Sequence, residues 1–151
     1  MAQGWRHFAF ARLIDMHDAD TAEVSIDQGF GGYQRVAVRI YGISAPEVSG
    51  KEKPIGLDAL RIARELAWAG EAIDGPPCML WTWKASFARY VGRIEVVGQR
   101  RFDLAQAILV LGGARAWDGK TERPRFDAFP VADPDAEVTE YQRLLARDFR
   151  P

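Results

Sequence analysis

The side chains able to do chemistry gather around one stretch, Val38-Arg39-Ile40-Tyr41-Gly42-Ile43-Ser44-Ala45-Pro46-Glu47. Side chains alternate along an extended segment, so Val38 and Ile40 share one face while Arg39 and Tyr41 share the other. Gly42 and Pro46 break the strand, which leaves Glu47 just past a turn, where a carboxylate can face a cleft. A guanidinium suited to bidentate phosphate contacts and a carboxylate thus stand near one strand end. A second acidic run, His17-Asp18-Ala19-Asp20-Thr21, lies upstream in a loop. Each run alone also has a bland reading. Pro-Glu turns after surface strands are common, and carboxylates one residue apart often cap or bend a chain.

Composition narrows what those residues can serve. A chain of 151 residues suits one domain, 1–151, around a single core. Its charged fraction of 27% nearly cancels to a net charge of -1, so neither disorder nor a general pull towards polyanions is expected. Any phosphate site has to be a local cluster. Cys78 is the one cysteine, which excludes an internal disulfide and a cysteine-based metal site and suits a buried apolar thiol. With no secretory h-region and no apolar run of membrane length, the expectation is a monomer without membrane contact, either cytoplasmic or secreted and supplied without its signal.

The elements that must position the two runs follow from periodicity. Phe8 to Ile14 alternates loosely, Ala22 to Ile26 clearly, and Tyr33 to Tyr41 forms a third strand after the hairpin glycines Gly29, Gly31 and Gly32. Lys51 to Gly56 reads as a loop. From Leu57 the apolar positions Leu57, Leu60, Ala63 and Ala67 recur at helical spacing until Gly70. Cys78 to Trp83 and Tyr90 to Val97 read as two further strands. A second helix spans Asp103 to about Leu111, and Asp133-Pro134 opens a third with Asp as N-cap. Five short strands with a helix after the third predict a mainly-β α+β fold, a five-stranded OB-fold Greek-key barrel with about three helices.

Five ordered blocks then resemble the staphylococcal nuclease (thermonuclease) family. They are Asp18-Ala19-Asp20-Thr21, Val38 to Glu47, Gly56-Leu57-Asp58-Ala59 running into Ala63-Arg64-Glu65-Leu66, Phe87-Ala88-Arg89-Tyr90-Val91-Gly92-Arg93, and Leu104 to Leu109. The resemblance spans about residues 10 to 120. It implies a calcium-dependent endonuclease that hydrolyses phosphodiesters of single-stranded or unwound DNA and RNA. By position, Asp20 would be a carboxylate ligand of Ca2+, Thr21 would add its backbone carbonyl, and Asp18 would hold metal-bound water. Glu47 would be the general base, Arg39 and Arg89 the phosphate clamp, and Phe87, Trp117 and Tyr41 substrate contacts. Ser44 stands where the family has a second metal-binding Asp, so weakened calcium affinity is expected.

That departure keeps two other readings open. One is a weakened or inactive module that binds nucleic acid through Arg39 and Arg89 without cutting it. The other is a protein-docking module using the tail from Arg123 to Pro151, with Phe126, Phe129 and Phe149 as anchors. The same phenylalanines also suit packing back onto their own barrel.

Overall fold

The computed structural model describes residues 7–69, 75–86, 89–128 and 133–149, except for the side chains of residues 84–86 and 89. In chain order the elements are β1 (His7–Asp18), β2 (Thr21–Gly29), β3 (Gly32–Ile40), the short β4 (Ile43–Ser44) and the helix α1 (Lys53–Trp68). They continue with β5 (Pro77–Ser86), β6 (Arg89–Val97), β7 (Arg101–Asp103), α2 (Leu104–Val110), β8 (Arg115–Ala116) and α3 (Pro134–Asp148).

Antiparallel pairing joins β1 to β2, β2 to β3, β5 to β6 and β1 to β5. A parallel pairing of β3 with β6, Val38 opposite Tyr90 and Ile40 opposite Gly92, closes the ring. The result is the expected five-stranded closed barrel with three helices. Its interior is filled by the inward residues of each strand, among them Leu13, Met16, Val24, Val38, Ile40, Leu80, Ile94 and Val96. The loose alternation of β1 has a cause: its pairing with β2 shifts register between Leu13 and Asp15 and again between Met16 and Asp18. A bulge lets Leu13 and Met16 both face inward and re-aims the carboxyl end of the strand.

The helices cover and lock the barrel. α1 begins at Lys53, four residues ahead of the expected Leu57, because Pro54 is compatible with a first helical turn, whose N–H groups need no intrahelical partner. Its buried stripe of Gly56, Ala59, Leu60, Ala63 and Ala67 is mostly small, which allows close approach to the strands. Asp103 caps α2 by accepting from the Gln106 amide, accepts from the Tyr141 hydroxyl of α3 at 2.9 Å, and pairs with Arg93 at 2.7 Å. Asp133 caps α3, as its sequence predicted.

Phe126 is buried, and Phe149 meets Trp81 edge-on at 6.0 Å, so both pack on their own chain. Phe129 lies outside the described residues. Cys78 is buried, and burial pushes its thiol up to about 12. No helix among the described residues is long and apolar enough to cross a membrane.

Candidate functional site

An open cleft of about 360 Å³ lies on the outer surface where β1, β2, β3 and β6 meet. His17 and Asp18 enter it from β1, Thr21 from β2, Ala37 and Arg39 from β3, and Tyr90 from β6. Glu47, Val48 and Ser49 enter from the turn that follows β4. Four of the residues singled out by sequence, Asp18, Thr21, Arg39 and Glu47, therefore share one cleft. The parallel closure that sets Val38 beside Tyr90 also brings Arg89, the first residue of β6, to this end of the barrel. The side chain of Arg89 and the whole of Phe87 lie outside the described residues.

Asp20 sits beneath the cleft and ties its walls together. Only 2% of the residue is exposed. Its Oδ1 accepts from the Thr21 hydroxyl at 3.1 Å, and its Oδ2 accepts from the Ala45 amide at 2.7 Å and faces Arg39 Nη2 at 3.3 Å. Its backbone carbonyl accepts from the Ile40 amide at 2.8 Å. Asp18 shapes the loop, its Oδ1 accepting from the Asp20 amide at 3.1 Å. Burial, followed by the neighbouring Asp18 carboxylate, raises the Asp20 pKa to about 7 even though Arg39 and the Ala45 amide pull the other way.

Arg39 is held on three sides. Nη2 donates to the Ile43 carbonyl at 3.2 Å and faces Asp20, and the guanidinium lies over the Trp117 ring at 5.4 Å. Trp117 is itself fixed, its amide donating to the Gly42 carbonyl at 2.9 Å and its Nε1 to the Thr121 carbonyl at 3.1 Å. Trp117 thus supports the arginine by a cation–π contact. A guanidinium has five N–H groups, so this anchoring leaves donors for an anion in the cleft.

Glu47 is exposed at the rim, and the backbone that carries it is braced. Its amide donates to Glu52 Oε1 at 3.0 Å. Arg123 Nη2 donates to the Ala45 carbonyl at 2.8 Å and to Glu52 Oε1 at 2.9 Å, and Arg123 Nε lies 3.9 Å from Glu47 Oε1. Gly56 of α1 packs so closely that a Cβ there would stand 2.0 Å from the Glu47 carbonyl oxygen. Sequence reasoning missed these supports. Arg123 lies in a loop without periodicity and reaches across 78 positions to Ala45, so no local pattern marks it.

One expected substrate contact, Tyr41, lies elsewhere. Tyr41 is buried, and its hydroxyl lies 2.9 Å from the Leu144 carbonyl and 2.6 Å from Asp148 Oδ2, where it anchors α3. Strand geometry ends at Ile40, so alternation no longer carries Tyr41 to the face of Arg39, and the expectation that it contacts substrate is corrected. Ser44 is fully buried in β4, and its Oγ has no hydrogen-bond partner among the described residues.

Among the described residues no group of three or more His, Cys, Asp or Glu is placed to hold a metal ion. A hard cation needs only oxygen donors, however, and Ser44 offers an unpartnered one next to the residue whose amide binds Asp20. The oxygen donors on hand are the Asp20 carboxylate, already engaged by Thr21, Ala45 and Arg39, and the buried Ser44 hydroxyl. No family model matches this chain, and no curated protein matches it.

Proposed function

We propose that the cleft binds a phosphodiester of single-stranded or unwound DNA or RNA and hydrolyses it, with calcium as a weakly held cofactor. The observation that carries this reading is the convergence of Asp18, Thr21, Arg39 and Glu47 on one cleft, with Asp20 holding Arg39 from below. The resemblance to the staphylococcal nuclease family supports the same chemistry.

A phosphodiester is anionic and gains charge on its equatorial oxygens as water adds. Arg39, pinned by Asp20, Ile43 and Trp117, meets that charge with little reorganisation, so its stabilisation is larger in the transition state than in the ground state. Arg89, at the start of β6, is by its place in the sequence the second cation that this reading assigns to the phosphate. Glu47 takes the proton of the attacking water, and its exposed position gives it access to that water. Calcium, when bound, supplies further positive charge beside the phosphate.

A specific observation favours a second reading, binding without hydrolysis. Ser44 replaces a charged donor, and Asp20 Oδ2 is already shared between Ala45 and Arg39. Cleavage of single-stranded DNA, followed as calcium is titrated for wild type and Ser44→Asp, separates the two. The proposed function predicts cleavage by wild type and a shift to lower calcium in the variant. Cleavage by Ser44→Asp alone would leave the wild type a binding module.

A further inference from the structure

Arg39 is one end of a longer row. The outward side chains of β3 are Tyr33, Arg35, Ala37 and Arg39, while Val36, Val38 and Ile40 turn to the core. Two-residue steps along a strand are about 6.7 Å, so the row runs about 20 Å from Arg39 to Tyr33. Ala37 and Arg39 line the cleft, and Arg35 and Tyr33 continue its wall outward. Tyr33 is 68% exposed. Arg35 is exposed and pairs with Glu23 at 3.0 Å, and Glu23 also faces His17 at 3.3 Å.

The row ends at the hairpin Gly29-Phe30-Gly31-Gly32. Phe30 is fully exposed at its tip and has φ 54, a left-handed conformation rarely held by a bulky side chain. Glycines surround it in the same turn, and glycine at this position would relieve the strain. The chain thus keeps a phenylalanine where it gains no burial and strains the backbone. Such a residue makes sense as a contact for something outside the chain.

Resting on the phosphodiester reading of the cleft, we infer that this row is a second subsite, a track for single-stranded nucleic acid leaving the cleft. Tyr33 and Phe30 stack on its bases, and Arg35 exchanges Glu23 for a phosphate. Two cations, Arg39 and Arg35, followed by two aromatic rings, Tyr33 on the strand and Phe30 in its hairpin, suit a polymer that carries both anionic phosphates and flat bases. Unpaired bases are required, because a duplex hides the ring faces that Tyr33 and Phe30 would cover. With only Arg39 and Arg35 in the row to meet phosphates, stacking is the main contribution and the salt dependence is shallow.

The test is fluorescence anisotropy with labelled oligothymidylates, a dinucleotide and an octanucleotide, in calcium-free buffer with chelator so that nothing is cut. Phe30→Gly and Tyr33→Ser change exposed positions, and circular dichroism checks their folding. Each is expected to weaken octanucleotide binding by about tenfold while leaving the dinucleotide unchanged, whereas Arg39→Gln weakens both. Unchanged octanucleotide affinity in both track variants overturns the track and leaves the cleft standing. Loss in the track variants with no effect of Arg39→Gln supports the track and overturns the cleft. No binding of either probe by wild type overturns both, and binding of phosphatidylcholine vesicles in its place would assign Phe30 to a membrane surface.

Discussion

The Ala45 amide donates to Asp20 Oδ2 at 2.7 Å, and this bond joins the acidic loop after β1 to the turn that carries Glu47. With Arg39 at 3.3 Å from the same oxygen, one buried carboxylate sets the position of both the Arg39 guanidinium and the segment leading to Glu47. Asp20 therefore organises the cleft whether or not a metal is bound.

Asp20→Ala is expected to destabilise the fold by about 2 to 3 kcal/mol, since it strands the buried Ala45 amide and leaves Arg39 without its carboxylate. Asp20→Asn keeps an acceptor for that amide and should cost less. Urea unfolding of both variants measures the difference. Equal losses would show that the amide contact contributes nothing.

Gly56→Ala tests the packing behind Glu47. A methyl group 2.0 Å from the Glu47 carbonyl cannot be accommodated, so either α1 or the turn must move. The expected cost is about 1 to 3 kcal/mol of stability, together with a fall in cleavage. Thermal unfolding and turnover on the same preparation check both. An unchanged melting temperature would contradict the close contact.

The attachment of α3 carries a pH signature. The Arg147 guanidinium, and after it the Tyr41 hydroxyl, hold Asp148 at about 2, below its ordinary 3.8. A depressed carboxyl contributes stability that is complete above about 4 and is lost as pH falls from there to about 2. Asp148→Asn should flatten that segment of the stability–pH curve, as read by urea midpoints across the range. A curve of unchanged slope would show that the carboxylate is not coupled to folding.

Much of this arrangement was legible in the sequence. Alternation located the five barrel strands, apolar spacing located α2, and Asp133 before Pro134 announced α3 because a side-chain acceptor ahead of an apolar repeat has few other uses. Asp18, Thr21, Arg39 and Glu47 were found from their short spacings and the resemblance that those spacings carry. What stayed hidden depends on contacts distant in sequence: the register in which β3 meets β6, the brace from Arg123, and the turn of Tyr41 into α3. The outward row of β3 was present in the alternation. Its meaning needed the strained exposure of Phe30, which no residue pattern reports.

The most direct test of the account compares turnover of single-stranded DNA by wild type and Glu47→Gln at saturating calcium, with oligonucleotide affinity measured alongside. Calcium-dependent cleavage by wild type is expected, with a loss of at least about a hundredfold in kcat for the variant and unchanged affinity. Equal turnover in the two proteins would contradict Glu47 as the base, and absence of wild-type cleavage at every calcium concentration would contradict the hydrolytic function itself.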